Sequence, residues 1–208
     1  DLTDIDWNRF IEIGKDVKAK TGTYMLSGQA DSPDTIMMML QSAGASLFDE
    51  DGKPAMTDND ALKECIDIYK TMVDEGIYLE VNKWDDYVTS ITKGSVAGVI
   101  NGNWIIATIQ GMEDTAGKWE ITNMPKLIKT PNATNYSNNG GSSWYITSNC
   151  KNKDLAIDFL KSTFAGSVEL YEKILPTTGA IATYLPAGDS AAYAEPQAYW
   201  SNQPIFKT

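Results

Sequence analysis

Histidine is missing from this sequence altogether. With it go the commonest general base near neutral pH and the commonest metal ligand. Neither a Ser-His-Asp nor a Cys-His catalytic unit can be assembled. Cysteine is almost as scarce, with Cys65 and Cys150 alone, so a zinc site would have to join those two thiols to carboxylates. Cys65 falls on the apolar face of an expected helix and reads as a buried free thiol. Cys150 falls in an expected loop, and the sequence leaves a disulfide between the two open. No apolar run is long enough to span a bilayer as a helix, and no secretory leader pattern is visible. Positive charge is in deficit: 17 Lys and Arg face 28 Asp and Glu, a net charge of −11. That balance argues against nucleic acid and anionic membrane surfaces as partners. No catalytic residue, metal site or cofactor is expected.

What is present suits a globular chain. Its 208 residues are 42% hydrophobic and 22% charged, enough for one large or two small domains around a sizeable core. Thr3-Asp4-Ile5-Asp6 precedes Trp7, Phe10, Ile11, Gly14 and Val17. Capping residues followed by that spacing predict a helix ending near Thr21-Gly22. Thr23 to Leu26 reads as a short strand, and Ser27 to Asp34 as a polar turn stretch with Pro33 opening a helix. The three methionines Met37, Met38 and Met39 read as core filling. Leu47 to Met56 reads as a hairpin around Asp51-Gly52. Leu62, Cys65, Ile66, Tyr69, Met72 and Val73 form one helical stripe, stopped by Gly76. Ile77 to Asn82 is expected along the surface. Trp84-Asp85-Asp86-Tyr87 opens another helix, whose dipole favours the acidic pair in its first turn.

The most informative stretch follows, at Gly94-Ser95-Val96-Ala97-Gly98-Val99-Ile100-Asn101-Gly102-Asn103-Trp104. It reads as helix stop, buried apolar strand, tight polar turn and an exposed aromatic platform. Beyond it, Trp104 to Ile109 is helical in pattern, Trp119 to Met124 alternates as a strand, and 126–139 reads as a linker or hinge. Gly140-Gly141-Ser142-Ser143-Trp144-Tyr145-Ile146 reads as a glycine turn feeding a strand. Leu155, Ala156, Phe159, Leu160 and Phe164 are expected inward on the next helix. A helix from Ser167 is expected to break at Leu175-Pro176-Thr177. Helices alternating with short strands put the chain in the α/β class.

Six Trp and ten Tyr occur, with Trp and Asn recurring at turns. Asn101, Asn103 and Trp104 share one turn; Gly140, Gly141 and Trp144 share another. Each joins backbone freedom, amide groups and a flat apolar face, the features that suit a sugar's CH-rich face and hydroxyls. The bland reading, core or rim tryptophans, holds for any one of them taken alone.

The ordered motifs resemble the bacterial extracellular solute-binding proteins of family 1, the sugar-binding subunits of ABC importers. The family pattern of acidic helix, glycine, apolar strand and Asn-Gly-x-Trp is similar to Trp84-Asp85-Asp86 through Trp104. Asp6-Trp7-Asn8-Arg9-Phe10, Asp74-Glu75-Gly76-Ile77, Gly140 to Ile146, Asn152-Lys153, Ala156 to Leu160 and Leu175-Pro176-Thr177 resemble further family motifs in order. The resemblance implies two periplasmic-binding-protein-like type II lobes joined by a hinge and closing on ligand. It implies a fragment, with residues 1–138 in the second lobe, 139–180 crossing to the first and 181–208 returning. It implies ligand contacts at Trp104, Asn103, Asn101, Trp144, Gly140 and Gly141, and at Asp31, Ser32 and Asp34 in a loop next to Pro33. Trp84 and Trp200 are weaker candidates. The acid and aromatic that flank the family's loop proline are absent here, so the resemblance does not carry a ligand identity over. It further implies an extracellular or periplasmic monomer, lipid-anchored through a missing N-terminus, that captures an oligosaccharide for a membrane permease. A glycoside hydrolase using two carboxylates among Asp31, Asp34, Asp85 and Asp86, or a flat carbohydrate-interaction surface, stand as alternatives.

Overall fold

Asp6 opens the first helix as its sequence suggests: the side chain accepts from Arg9 N at 2.9 Å, and Gly22 closes the helix in the left-handed region. In the computed structural model, which describes residues 1–207, the chain divides into two compact units. One is 1–100 with 122–139; the other is 101–121 with the chain from 140 onward.

The first unit holds α1 (Trp7–Thr21), β1 (Leu26–Gln29), α2 (Asp34–Ser42), α3 (Asp60–Asp74), β2 (Tyr78–Val81) and α4 (Trp84–Thr92). β1 and β2 pair in parallel, Leu26 opposite Tyr78 through Gln29 opposite Val81. A third parallel segment joins at Tyr24 and Val96, where Tyr24 N donates to Ser95 O at 3.0 Å and Gly98 N to Met25 O at 2.9 Å. Parallel pairing needs cover on both faces. Trp7, Leu26, Leu40, Met72 and Ile77 lie in that core, and Met38 and Met39 are buried in α2. The methionines fill core, as expected.

Several expectations change here. Ile77 to Asn82 does not lie wholly on the surface: Ile77 and Tyr78 are buried, and Tyr78 to Val81 is a strand paired with β1. The polar Ser27-Gly28-Gln29 is strand rather than turn, because it pairs in parallel with Leu79-Glu80-Val81, while Ser27 meets Ser90 of α4 at 2.6 Å. On α3 the buried apolar positions are Ala61, Cys65, Ile68 and Met72, and Ile66 is exposed. Residues 126–139 are not a loose linker. The buried Glu64 carboxylate accepts from Ile128 N and Lys129 N at 2.8 and 2.9 Å and from Thr130 Oγ1 at 2.8 Å. Asn135 donates to Ile5 O and Met124 O, and Ser137 to Met38 O. A Pro- and Asn-rich composition permits a loop but does not decide whether side chains tie it down.

The second unit holds a 3₁₀ turn at Asn103–Ile105, α5 (Ile106–Gln110), α6 (Lys153–Ser162), α7 (Val168–Thr178) and α8 (Leu185–Gly188), with further 3₁₀ turns at Glu113–Thr115, Ala191–Ala194 and Ala198–Trp200. Ile105, Ile106, Ile109, Tyr171, Leu175, Tyr193, Trp200 and Phe206 are its buried apolar residues of greatest bulk. Trp200 belongs to this interior, 6.4 Å from the Trp119 ring in an edge-on arrangement, so it is no surface for a ligand. Pro176 lies inside α7 and does not break it; the helix runs on to Gly179. Neither 119–124 nor 140–146 is a strand. A strand needs a neighbouring strand for its N–H and C=O groups; in 119–124 the Ile121 N–H and C=O are met instead by the Gln203 side chain, at 2.6 and 3.0 Å. On α6 no residue is buried, and Leu155 and Phe159 are exposed.

Candidate functional site

The platform turn of the second unit is built from its own amides. Asn101 Oδ1 accepts from Gly102 N at 2.8 Å, which folds the chain back on itself. Asn103 Nδ2 donates to the Gly179 carbonyl. Gly179 caps α7 with φ +63°, and a Cβ there would stand 2.8 Å from Asn103 O, so the close approach requires glycine. Ile105 and Ile106 are buried and anchor the turn from its other side. Between these fixed points Trp104 is 41% exposed.

Gly140 belongs to the same neighbourhood: a Cβ on it would lie 3.8 Å from Trp104 Nε1. The structure therefore brings Asn101, Asn103, Trp104 and Gly140 together. Gly140 and Gly141 have φ of +124° and +94°, a backbone path that side chains disfavour. Trp144 stacks on Phe164, with ring centroids 4.9 Å apart and planes inclined by 28°, and is 66% exposed. An exposed indole on a rigid turn offers a flat apolar face to a ligand ring and an N–H at its edge.

In the first unit, Asp31 and Ser32 occupy the loop after β1 and Asp34 opens α2, at the carboxyl end of the parallel strands, where α/β folds gather their ligands. Ser32 N donates to Gln29 O at 3.0 Å. Ser32 Oγ accepts from Asp34 N at 3.2 Å. The helix cap position is Pro33 and makes no side-chain cap bond, so neither aspartate is used as a helix cap. Asp31 and Asp34 are both exposed. Trp84 follows β2 at the same end of the strands, 5.3 Å from the Tyr87 ring.

Among the described residues no group of three or more Cys, Asp or Glu could hold a metal ion. Cys65 is a free thiol within the core, and burial pushes it up to about 12. Cys150 is also free. Sequence reasoning missed Tyr78 and Thr35, whose hydroxyls meet at 2.8 Å, Thr35 following Asp34 in the first turn of α2. The signal was available in Gly28, since glycine inside a strand marks close approach by a neighbour.

A family model described as bacterial extracellular solute-binding protein matches residues 3–208. A lactose-binding protein of Rhizobium radiobacter is 40% identical over 207 residues, covering 100% of this chain and 49% of that protein. Among solved structures, the sugar-binding protein MalE of Xanthomonas citri superposes with a TM-score of 0.70 at 14% identity, covering 91% of this chain and 48% of that one. The GacH receptor of Streptomyces glaucescens superposes with a TM-score of 0.67 at 18% identity, over 91% and 48% of the two chains. The chain thus spans about half the length of each relative. At those identities the structural likeness is one of fold, that of maltose-binding-protein-like type II periplasmic binding proteins.

Proposed function

We propose a function that proceeds from one premise: the chain belongs to the family of bacterial extracellular solute-binding proteins. The function is capture of a carbohydrate, an oligosaccharide, without chemical change, for delivery to the membrane permease of an ABC importer. The observation that carries it is Trp104, a half-exposed indole on a turn fixed through Asn101 and Asn103. A face already held in place loses little freedom when a sugar ring stacks on it. The likeness to a lactose-binding protein supports a sugar as the ligand class.

In the second unit we assign Trp104 and Trp144 as stacking surfaces, with Asn101, Asn103, Gly140 and Gly141 shaping the backbone that presents them. In the first unit we assign Asp31, Ser32 and Asp34, whose carboxylates and hydroxyl suit sugar hydroxyls. The non-catalytic reading is supported by Asp31, Asp34, Asp85 and Asp86, all of which are exposed. A glycosidase general acid sits in an apolar pocket. In the intact protein we place 1–138 in one lobe, 139–180 as a crossover into the other and 181–208 as a return. The exposed apolar residues Leu155 and Phe159 of α6 support this, as a face awaiting cover. We place the intact protein outside the cytoplasmic membrane as a lipid-anchored monomer, to be tested by fatty-acid labelling and by gel filtration.

The test of binding is titration of the intact protein with lactose, maltose and longer oligosaccharides, and with amino acids and inorganic ions, followed by tryptophan fluorescence and calorimetry. Saturable binding of at least one sugar is expected. Trp104→Ala is expected to weaken it by about 1–3 kcal/mol, the scale of one large apolar contact, with little change in fold. Binding of amino acids or ions with no response to any sugar overturns the reading.

A further inference from the structure

Strand β1 carries Gly28 where a side chain would be expected, and the neighbouring strand supplies the reason. Leu26 stands opposite Tyr78 and Gly28 opposite Glu80. The Tyr78 side chain runs diagonally from its own register position across Gly28, where an added methyl would land on the Tyr78 hydroxyl. The hydroxyl continues to Thr35 Oγ1 in the first turn of α2, 2.8 Å away. From α3, the Tyr69 ring stands edge-on to Tyr78 at 5.0 Å and the Tyr69 hydroxyl donates to Glu80 at 2.8 Å. Tyr78 is therefore buried and held along its length. Burial, acting against the Thr35 hydrogen bond and joined by Tyr87, Glu80 and Asp34, pushes its phenol up to about 12. The phenol thus keeps its proton at physiological pH.

What that hydroxyl holds is the start of a short helix that has no side-chain cap of its own at Pro33. Thr35 directly follows Asp34, and Ser32 Oγ accepts from Asp34 N. We propose that Tyr78 is a positioning residue for the Ser32–Asp34 turn: through Thr35 it fixes the first turn of α2 and so sets where the Ser32 hydroxyl and Asp34 carboxylate meet a polyhydroxylated ligand. The inference rests on the assignment of Ser32 and Asp34 as ligand contacts. Gly28 is part of the device, because any larger residue displaces the phenol.

The experiment uses the intact protein with the variants Tyr78→Phe, Thr35→Val, Thr35→Ser and Gly28→Ala. Amide hydrogen exchange at residues 32–37 is read without ligand, and affinity is read with lactose or, if lactose does not bind, with the sugar of the panel that does. Tyr78→Phe and Thr35→Val are expected to speed exchange at 32–37 about five- to tenfold, the scale of one hydrogen bond. Exchange in α1 should stay unchanged, and sugar affinity should fall by a similar factor. Thr35→Ser, which keeps the hydroxyl, should resemble the parent, and Gly28→Ala should resemble Tyr78→Phe. The double variant Tyr78→Phe with Thr35→Val should be no worse than either single one. Unchanged exchange in Tyr78→Phe overturns the positioning role whether or not any sugar binds. Faster exchange with unchanged affinity overturns the link from this turn to the ligand. A parent protein that binds no sugar defeats the functional reading by itself, while the exchange measurement still decides whether Tyr78 sets the turn.

Discussion

Helix α3 sets Ala61, Cys65, Ile68 and Met72 at helical spacing and buries all of them, whereas α6 sets Leu155 and Phe159 at the same kind of spacing and buries no residue. Both start with an asparagine at the cap position, Asn59 and Asn152. Only Asn59 makes the cap bond, accepting from Leu62 N at 3.0 Å. The two helices are therefore alike in pattern and different in partners. α3 meets α2, β2 and the segment around Leu127. An amphipathic period specifies that a helix forms and which face is apolar; it does not specify that the covering surface lies in the same stretch of chain.

The contrast can be pressed hardest in the core. Met72→Ala on α3 is expected to cost about 2–5 kcal/mol, the range for emptying a fully buried position, measured by urea unfolding of this chain. Next is Glu64, the carboxylate that pins Ile128 to Thr130. Burial alone would raise its pKa, but the backbone hydrogen bonds from Lys129 and Ile128 and that from Thr130 outweigh burial and hold it below the ordinary value of 4.5. A carboxyl with a depressed folded pKa stabilises the fold above its unfolded pKa. That contribution is lost as pH falls through the folded value. Glu64→Gln should cost about 1.5–3 kcal/mol at pH 7 and should flatten the loss of stability below pH of about 4.5. A variant as stable as the parent at pH 7 would show that 126–139 is held by Asn135 and Ser137 instead.

Smaller effects belong to α6. Leu155→Ala should change the stability of this chain by less than about 0.5 kcal/mol, as for an exposed substitution. In the intact protein the same change should cost about 1–3 kcal/mol if another lobe covers that face. Equal small costs in both would break the assignment of 139–180 as a crossover. The smallest effect is chemical: at pH 8 a thiol reagent should label Cys150 ahead of Cys65. Cys65 should wait for unfolding, because the thiolate is the reactive form and burial keeps it protonated.

Much of the first unit was legible from residue order. Asp6 with Gly22, Pro33 ahead of Asp34, and Gly76 after α3 each marked a helix end by a local mechanism. The platform turn was legible too, since Asn101-Gly102-Asn103 carries its turn-forming amides within a few residues. Other features were not. Ser27-Gly28-Gln29 looks like a turn by composition, yet Leu79-Glu80-Val81, distant in sequence, pairs with it as a strand. Glu64 looks like a solvated helix position until Ile128 and Lys129 arrive with their N–H groups.

By itself, then, the sequence determined the helix periods, the caps, the Asn-Gly-Asn-Trp turn and the absence of histidine chemistry, because each depends on residues within a turn or two of one another. The tertiary structure alone decided that Ile77 and Tyr78 are buried where β2 begins, that 126–139 is pinned, that Trp200 is core while Trp104 is half-exposed, and that Tyr78 reaches across Gly28 to Thr35. Each of these is a contact between residues far apart in the chain, and burial is a property of the surface that arrives, not of the residue that waits for it.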